Sequence, residues 1–382
     1  MFDGFRRSGA PTLDSLSQAA LGAAIGYAVG GKRLGRAALA AGAVVGTVPD
    51  LDTFALLPFD DFAVWTHHRG LTHSLFFGLV VGPALGWAVW RWNRARRPFE
   101  PAGEEEARAD WIRIFTFGLV THPLLDWFTI YGTQLLAPFT DARFALPGLG
   151  IIDPGYTVPL LIAIACVLSK PQASWARLSI LAALAASTIY LFYGLSQNRA
   201  VEAMARAQLE REGVAAAQVR VFTTIFQPWL RRITVDDPEG IRVGYASAFQ
   251  TSAIAWTCFA RPRDPAIEAV RATPEGRILD WFADGHVWGV AVPGSDGSTV
   301  VRLTDRRYGV PGPTIQGWWG IEARVDAAGR VAERPVKIDL PRDASRAGEL
   351  FAAAWGRPTE LFPHARDAAE AARACAANRI PA

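Results

Sequence analysis

Two long apolar runs, residues 71–92 and 175–196, constrain this chain more than any other feature. A helix that crosses a bilayer needs about 20 mostly apolar residues, and both runs reach that length. A third run, residues 112–136, is as long but contains His122 and Asp126. Residues 156–169 form a shorter run. Residues 16–30 and 37–48 are shorter still and rich in Ala and Gly, which suits a tightly packed helical hairpin or a re-entrant pair. The reading is six segments, four of them spans and two open between spanning and re-entrant.

Charge divides the chain in the same place. The first 197 residues hold 29 charged side chains and the remaining 185 hold 46. A membrane domain over 1–197 followed by a soluble domain over 198–382 fits this better than one soluble domain. The net charge of +3 gives no reason to expect nucleic acid as a partner. A hydrophobic content of 51% excludes a disordered chain. Cys166, Cys258 and Cys375 are far apart with no C-x-x-C pair, so neither a disulfide framework nor a cysteine zinc site is expected.

The links between segments give an orientation. Lys32, Arg33 and Arg36 lie in the first link, Arg91, Arg94, Arg96, Arg97 and Arg108 in the third, and Lys170 in the fifth. The second and fourth links hold only Arg69 and Arg143. The excess of positive charge in cytoplasmic loops then puts the second and fourth links outside, with the N-terminus and everything after residue 196. Arg6 and Arg7 pull the other way. No cleavage site is evident near the start, so insertion is expected to rely on the spans.

From residue 197 the texture changes. Residues 198–213 read as a charged amphipathic connector helix. Residues 219–226, 230–235, 242–248, 287–292, 300–303 and 321–325 have strand composition, separated by turn signals such as D-D-P-E-G and P-G-S-D-G-S. Two Ala-rich stretches, 344–355 and 365–377, read as helices. The fold class is an α-helical polytopic membrane domain of about four to six segments, then a soluble α+β domain with a mainly antiparallel sheet. Trp318-Trp319 in G-W-W-G suit a core better than an interfacial anchor, and His286 and His364 stand alone as structural residues.

Ionisable groups at membrane depth are expensive and point to function. In V-P-D-L-D-T (48–53), Asp50 and Asp52 are two apart, so in an extended stretch both would face one metal. The alternative is a helix end with solvated acids. T-H-H-R-G-L-T-H-S (66–74) holds three of the six histidines. Thr72 as a helix cap would put His73 in the first turn, with His68 in the preceding loop and His67 a bystander. In T-H-P-L-L-D (121–126), His122 and Asp126 share a helix face at i and i+4, a metal-ligand spacing. They could instead lock two helices as a hydrogen-bonded pair, or Asp126 could orient another ligand. Weaker candidates are Asp14 with Gln18, and Asp153, each equally readable as a cap or turn residue.

The loop charges place all of these on the outer face. A mixed imidazole and carboxylate set without thiolate suits Zn, with Mn or Fe as alternatives, and the number of candidates allows one or two ions. Arg69 would hold a phosphate bidentately or pair with Asp50 or Asp52. Neither G-x-S-x-G, a Walker A loop nor G-x-G-x-x-G occurs, so serine hydrolase, NTPase and dinucleotide readings have little support.

Residues 14–26 (D-S-L-S-Q-A-A-L-G-A-A-I-G), G-T-V-P-D-L-D (46–52), H-R-G-L-T-H-S (68–74), T-H-P-L-L-D (121–126), Y-G-T-Q-L-L-A-P-F (131–139) and I-I-D-P-G-Y-T-V-P-L (151–160) together resemble the YdjM-like family of bacterial inner-membrane metal-dependent hydrolases. The resemblance covers about residues 10–200 and implies metal dependence, a membrane location and hydrolysis of an undefined substrate. Some members have T-H where this chain has Ser17-Gln18, a departure that removes an imidazole from segment 1.

The expectation is a multi-pass inner-membrane metallohydrolase with a periplasmic C-terminal domain. His68, His73, His122 and Asp126 would be its core ligands, with Asp50 and Asp52 joining or bridging. Asp153 or a non-ligating Asp would be the general base and Arg69 the anion grip. The substrate would be lipid-like or a phosphodiester, and no protein partner is indicated. The rivals are a membrane metal-binding or transport protein without hydrolase activity, and a structural protein whose polar pairs lock helices.

Overall fold

The computed structural model describes residues 14–56, 58–96, 103–170, 173–215, 218–309, 315–340 and 346–380. The chain divides into two compact units, Met1–Gly194 and Leu195–Ala382.

The first unit is helical. Its elements are α1 (Asp14–Leu34), α2 (Arg36–Thr47), a 3-10 turn at Pro49–Leu51, α3 (Asp52–Ala55), α4 (Ala63–His67), a second 3-10 turn at Leu71–His73, α5 (Leu75–Arg96), α6 (Glu104–Trp127) and α7 (Pro154–Ser169). The last helix, α8 (Ala176–Arg211), begins in this unit. Among the described residues, α5 and α8 are long and apolar enough to cross a membrane. They expose Leu79, Val80 and Trp87, and Leu178, Ile189 and Phe192.

Small residues set the helix packing. A Cβ added to Gly22 of α1 would strike the Gly42 carbonyl of α2, and one added to Gly42 would strike the Gly22 carbonyl, so the two backbones touch. Gly82 and Gly86 of α5 lie against the backbone of α6, where a Cβ would come within 2.6 Å of Thr116 Cα and Ile112 Cα. Such close approach is the usual role of small residues between membrane helices.

Two local expectations are corrected. Asp50 and Asp52 are not in an extended stretch, because the chain turns helically from Pro49 to Ala55. Thr72 does not cap α5. That helix starts at Leu75, and Ser74 Oγ accepts from the Phe77 N–H at 3.0 Å, while His73 lies in the turn before it. The connector over 198–213 is helical to Arg211, as read, and is continuous with the apolar run in α8.

The second unit is built from two antiparallel four-stranded sheets. The first has the order β1 (Gln218–Thr223), β2 (Leu230–Asp237), β3 (Gly240–Ser247) and β5 (Trp256–Ala260). The short β4 (Ala253–Ile254) pairs elsewhere, with β10 (His364–Ala365). After α9 (Pro265–Arg271) and α10 (Pro274–Phe282) comes the second sheet, in the order β6 (Val287–Pro293), β7 (Thr299–Asp305), β8 (Trp319–Val325) and β9 (Val336–Asp339). Two helices, α11 (Ala347–Ala354) and α12 (Ala368–Ala377), follow.

β2 and β3 are buried on both faces. One face packs with Val201, Ala205 and Leu209 of α8 and with α12. The other meets Trp288 of β6 and Ala353 and Ala354 of α11. Cys258 of β5 and Cys375 of α12 are disulfide-bonded, which corrects the expectation that no such bond forms. Their separation of 117 residues left no local spacing to read; only the packing of α12 on β5 brings them together. Trp318 and Trp319 are half-buried and pack with Tyr308.

Candidate metal centre

Four elements of the first unit converge on His73. Its side chain is fully buried. On one side, Nε2 lies 3.3 Å from Asp50 Oδ1 and 3.5 Å from Asp126 Oδ2. On the other, Nδ1 lies 3.0 Å from Thr72 Oγ1. Thr72 spends its one hydroxyl proton on Asp52 Oδ2 at 2.7 Å, so its oxygen accepts from His73 Nδ1–H. Asp52 accepts from His68 Nδ1 at 2.7 Å through its other oxygen. The bend before His73 needs a left-handed residue, supplied by Arg69 at φ 60°.

His122 repeats the pattern from α6. Its Nδ1 donates to the Gly46 carbonyl at 2.6 Å. A carbonyl can only accept, so Nδ1 carries a proton, and Nε2 is left to face the carboxylates, as a metal ligand when the ring is neutral and as a second donor when it is an imidazolium. Nε2 lies 3.5 Å from Asp50 Oδ1 and 3.4 Å from Asp126 Oδ2. His122 Nε2, Asp126 Oδ2 and Gln18 Oε1 are buried without a hydrogen-bond partner among the described residues. Acceptors turned toward acceptors repel unless a cation or protons lie among them.

The spacing fits a metal. Four ligand atoms placed tetrahedrally at zinc–nitrogen and zinc–oxygen bond lengths lie roughly 3.3–3.4 Å apart. His73 Nε2, His122 Nε2, Asp50 Oδ1 and Asp126 Oδ2 show imidazole-to-carboxylate separations of 3.3–3.5 Å. Two overlapping groups have ligand atoms within 4.8 Å of one another: His73 with His122 and Asp126, and Asp50 with His68 and His73.

Electrostatics agree at the groups outside the long helices. Burial pushes the Asp50 carboxyl up, but hydrogen bonds and charge from His122 and His73 outweigh it and hold the group well below the usual carboxylate range. Asp52 is lowered against burial in the same way by His68 and His73. Burial drives His68 down, more than Asp52 raises it, so its neutral form is favoured.

The remaining candidates lie elsewhere in the first unit. Arg69 is buried, with Nη2 3.1 Å from Asp126 Oδ1, Nη1 donating to Thr129 Oγ1 at 2.7 Å, and the guanidinium 4.8 Å from the Tyr131 ring centre. It is ion-paired with Asp126. Asp153 caps α7 through the Gly155 N–H and accepts from the Tyr190 hydroxyl at 2.8 Å. His67 bonds Thr66 beside it. The side chain of Asp14 lies outside the described residues, as do Arg6, Arg7 and Arg97. Gln18 Nε2 donates to Asp126 Oδ1 at 3.0 Å and to the His122 carbonyl at 3.3 Å. The sequence offered Gln18 as a weaker candidate beside Asp14; that spacing carried no sign of a bond to α6. The parts played by Thr72 and the Gly46 carbonyl had no sequence signal either.

A buried imidazole and carboxylate cluster among apolar helices defines a membrane protein with a polar core. Residues 13–201 match the YdjM inner membrane protein family, and the chain belongs to that family. It is 31% identical to the inner membrane protein YbcI of Escherichia coli (strain K12) over 134 residues, which cover 35% of this chain and 71% of YbcI. It is 31% identical over 124 residues to the uncharacterized protein YfhP of Bacillus subtilis (strain 168), covering 31% of this chain and 32% of YfhP. The chain therefore spans about a third of the length of YfhP. No solved structure matches. Family and apolar helices together place the chain at the inner membrane.

Proposed function

We propose that the chain is a multi-pass inner-membrane hydrolase that depends on a divalent metal held by His73, His122, Asp50 and Asp126. The observation that carries this reading is the pair of imidazole Nε2 atoms, both turned onto the same two carboxylates at 3.3–3.5 Å. A thiolate-free set of this kind suits Zn, Mn or Fe. A metal bound there would make water a nucleophile near neutral pH and polarise a substrate oxygen.

The other residues then take distinct roles. Asp52 holds His68 Nδ1–H, which leaves His68 Nε2 to accept a proton from water. Arg69 anchors Asp126 and is spent there, so a substrate phosphoryl or carbonyl oxygen would fall to the metal. Asp153 organises α7 and is not the base. A lipid-like ester or phosphodiester is the favoured substrate class. The segments carrying the ligands also expose Leu51, Phe54, Leu71 and Phe76.

The topology we propose has α1, α2, α5, α6, α7 and α8 entering or crossing the bilayer, with the second unit in the periplasm. The distribution of Lys and Arg among the links supports it. The disulfide adds independent support, since such bonds persist in oxidising compartments.

The test is elemental analysis of the detergent-purified chain beside His73→Ala and His122→Ala, followed by a screen of lipid esters and phosphodiesters. We expect one equivalent of metal in the parent, lost in both variants together with turnover. The grouping of Asp50, His68 and His73 favours a second reading with two ions, read as two equivalents. Metal without turnover would leave a binding or transport protein, and a parent that takes up no metal would sink both.

A further inference from the structure

The second unit holds five aromatic side chains at its surface in an arrangement that hydrophobic collapse does not explain. Trp355 stacks on Trp229 at 5.0 Å and on Phe249 at 5.7 Å between ring centres, with interplanar angles of 28° and 14°. Phe351, one turn earlier on α11, stacks on Phe226 at 6.3 Å. Trp355 is 59% exposed, Phe351 47% and Phe249 45%. Large rings left in water at such contiguity mark a contact surface.

The rings are held in place by the backbone beneath them. Gln227 Oε1 accepts from the N–H groups of Trp229 and Leu230 at 2.6 and 2.7 Å, fixing the loop between β1 and β2. Phe226 takes a left-handed φ of 70°, a conformation its side chain disfavours. Ser247 Oγ, fully buried, donates to the Ala354 carbonyl at 2.7 Å and ties β3 to the end of α11. Gly356, at φ 74°, lies so close to the Phe249 backbone that a Cβ would come within 2.9 Å. Three separate loops are thus braced to present one apolar face, which lowers the ordering cost of binding.

We infer that this face docks on the lipid surface of the membrane in which the chain is anchored, with Trp355, Phe351 and Phe249 seated at headgroup depth. The chain keeps lipid close to it. The apolar run of α8 ends at Ser196, and Val201 of the same unbroken helix is already in the core of the second unit. Trp is the side chain that best suits such an interface, because its ring is apolar and its N–H is polar. Of the charges beside the rings, Arg346 is paired with both Glu349 and Glu360, while the exposed Arg357, two residues past Trp355, has no ion pair among the described residues. Docking rests on the rings, with Arg357 placed to meet a lipid phosphate.

The test places a nitroxide on the full chain in nanodiscs of neutral phosphatidylcholine, in a Cys166→Ser background. Phe249→Cys and Phe351→Cys are labelled separately, so that misfolding of one leaves the other. Val336→Cys, at an exposed position of β9, is the aqueous control. The expected result is a higher ratio of oxygen to nickel-chelate collisions at 249 and 351 than at 336, unchanged in high salt. A water-like ratio at both patch positions would overturn the inference. So would shielding from both colliders with spin–spin broadening, which would give the face to a second copy of the chain.

Discussion

His122 Nδ1 donates to the Gly46 carbonyl at 2.6 Å, joining α6 to the end of α2. This one bond holds a proton on Nδ1 of a buried imidazole and aims its Nε2 at Asp50 and Asp126. A backbone atom of a glycine therefore sets the chemistry of a histidine 76 residues away.

Gly46 has no room to grow, since a Cβ there would lie 2.6 Å from the Gln18 carbonyl. Gly46→Ala should shift this carbonyl and loosen the His122 ring. Changes of that kind behind a ligand typically weaken metal binding by about 10–100-fold. Competition against a chelator in detergent would read the loss. Unchanged affinity in a folded variant would refute the role given to the Gly46 carbonyl.

Arg69→Met should leave Asp126 as a buried carboxylate without its guanidinium. Breaking such a pair from one side costs about 3–5 kcal/mol. We expect a large drop in melting temperature together with reduced metal content. A grip on substrate would look different: the Michaelis constant would rise while stability and metal content stayed at the parent values.

The chain has three cysteines, of which Cys258 and Cys375 are bonded. A thiol reagent applied to the unfolded, unreduced chain should modify one cysteine, and three after reduction. Cys375→Ser should destabilise the second unit by about 2–5 kcal/mol, measured by hydrogen exchange of β5 and its neighbours. Three reactive thiols before reduction would show that the bond does not form.

His286 gives the second unit a dependence on pH. Burial, then the charges of Arg306 and Arg307, push its pKa down to about 4, with Asp305 acting weakly the other way and Arg220 adding to the lowering. The folded state thus prefers the neutral ring. Between the ordinary value of 6.5 and about 4, the unfolded chain takes up a proton that the folded one refuses, so stability falls as pH falls through that window. The loss should approach about 3 kcal/mol. Hydrogen exchange of β6 and β7 at a series of pH values should show it, and His286→Gln should flatten the profile. A flat parent profile would contradict the burial of a neutral imidazole.

Much of the site was legible because ionisable residues in an apolar half must be accounted for. Asp50, Asp52, His68, His73, His122 and Asp126 could be gathered from three motifs before any fold was known, and the structure brings all six into one cluster. What composition could not supply was direction. Arg69 looked like an anion grip because its loop was unknown; the left-handed turn at that residue carries it inward to Asp126. Asp52 looked like a ligand, yet it reaches the cluster through the Nδ1 atoms of His68 and His73. In the second unit the longer strands were readable from β-branched and aromatic composition. The strands β4, β5, β9 and β10, and α9 and α10 with their Pro starts, were missed. The exposed ring stack was also missed, because Trp318-Trp319 drew attention to adjacency in sequence while the stack is assembled from three distant loops.

The bond between Cys258 and Cys375 closes a covalent ring around α9, α10, the whole second sheet and α11. A single proteolytic cut within that ring opens it without dividing the molecule. The two pieces stay linked until a reductant reaches a pair of sulfurs that are almost completely shielded from solvent. Damage to the loops of this unit is therefore contained by one bond, and a nicked chain keeps its full mass under non-reducing conditions.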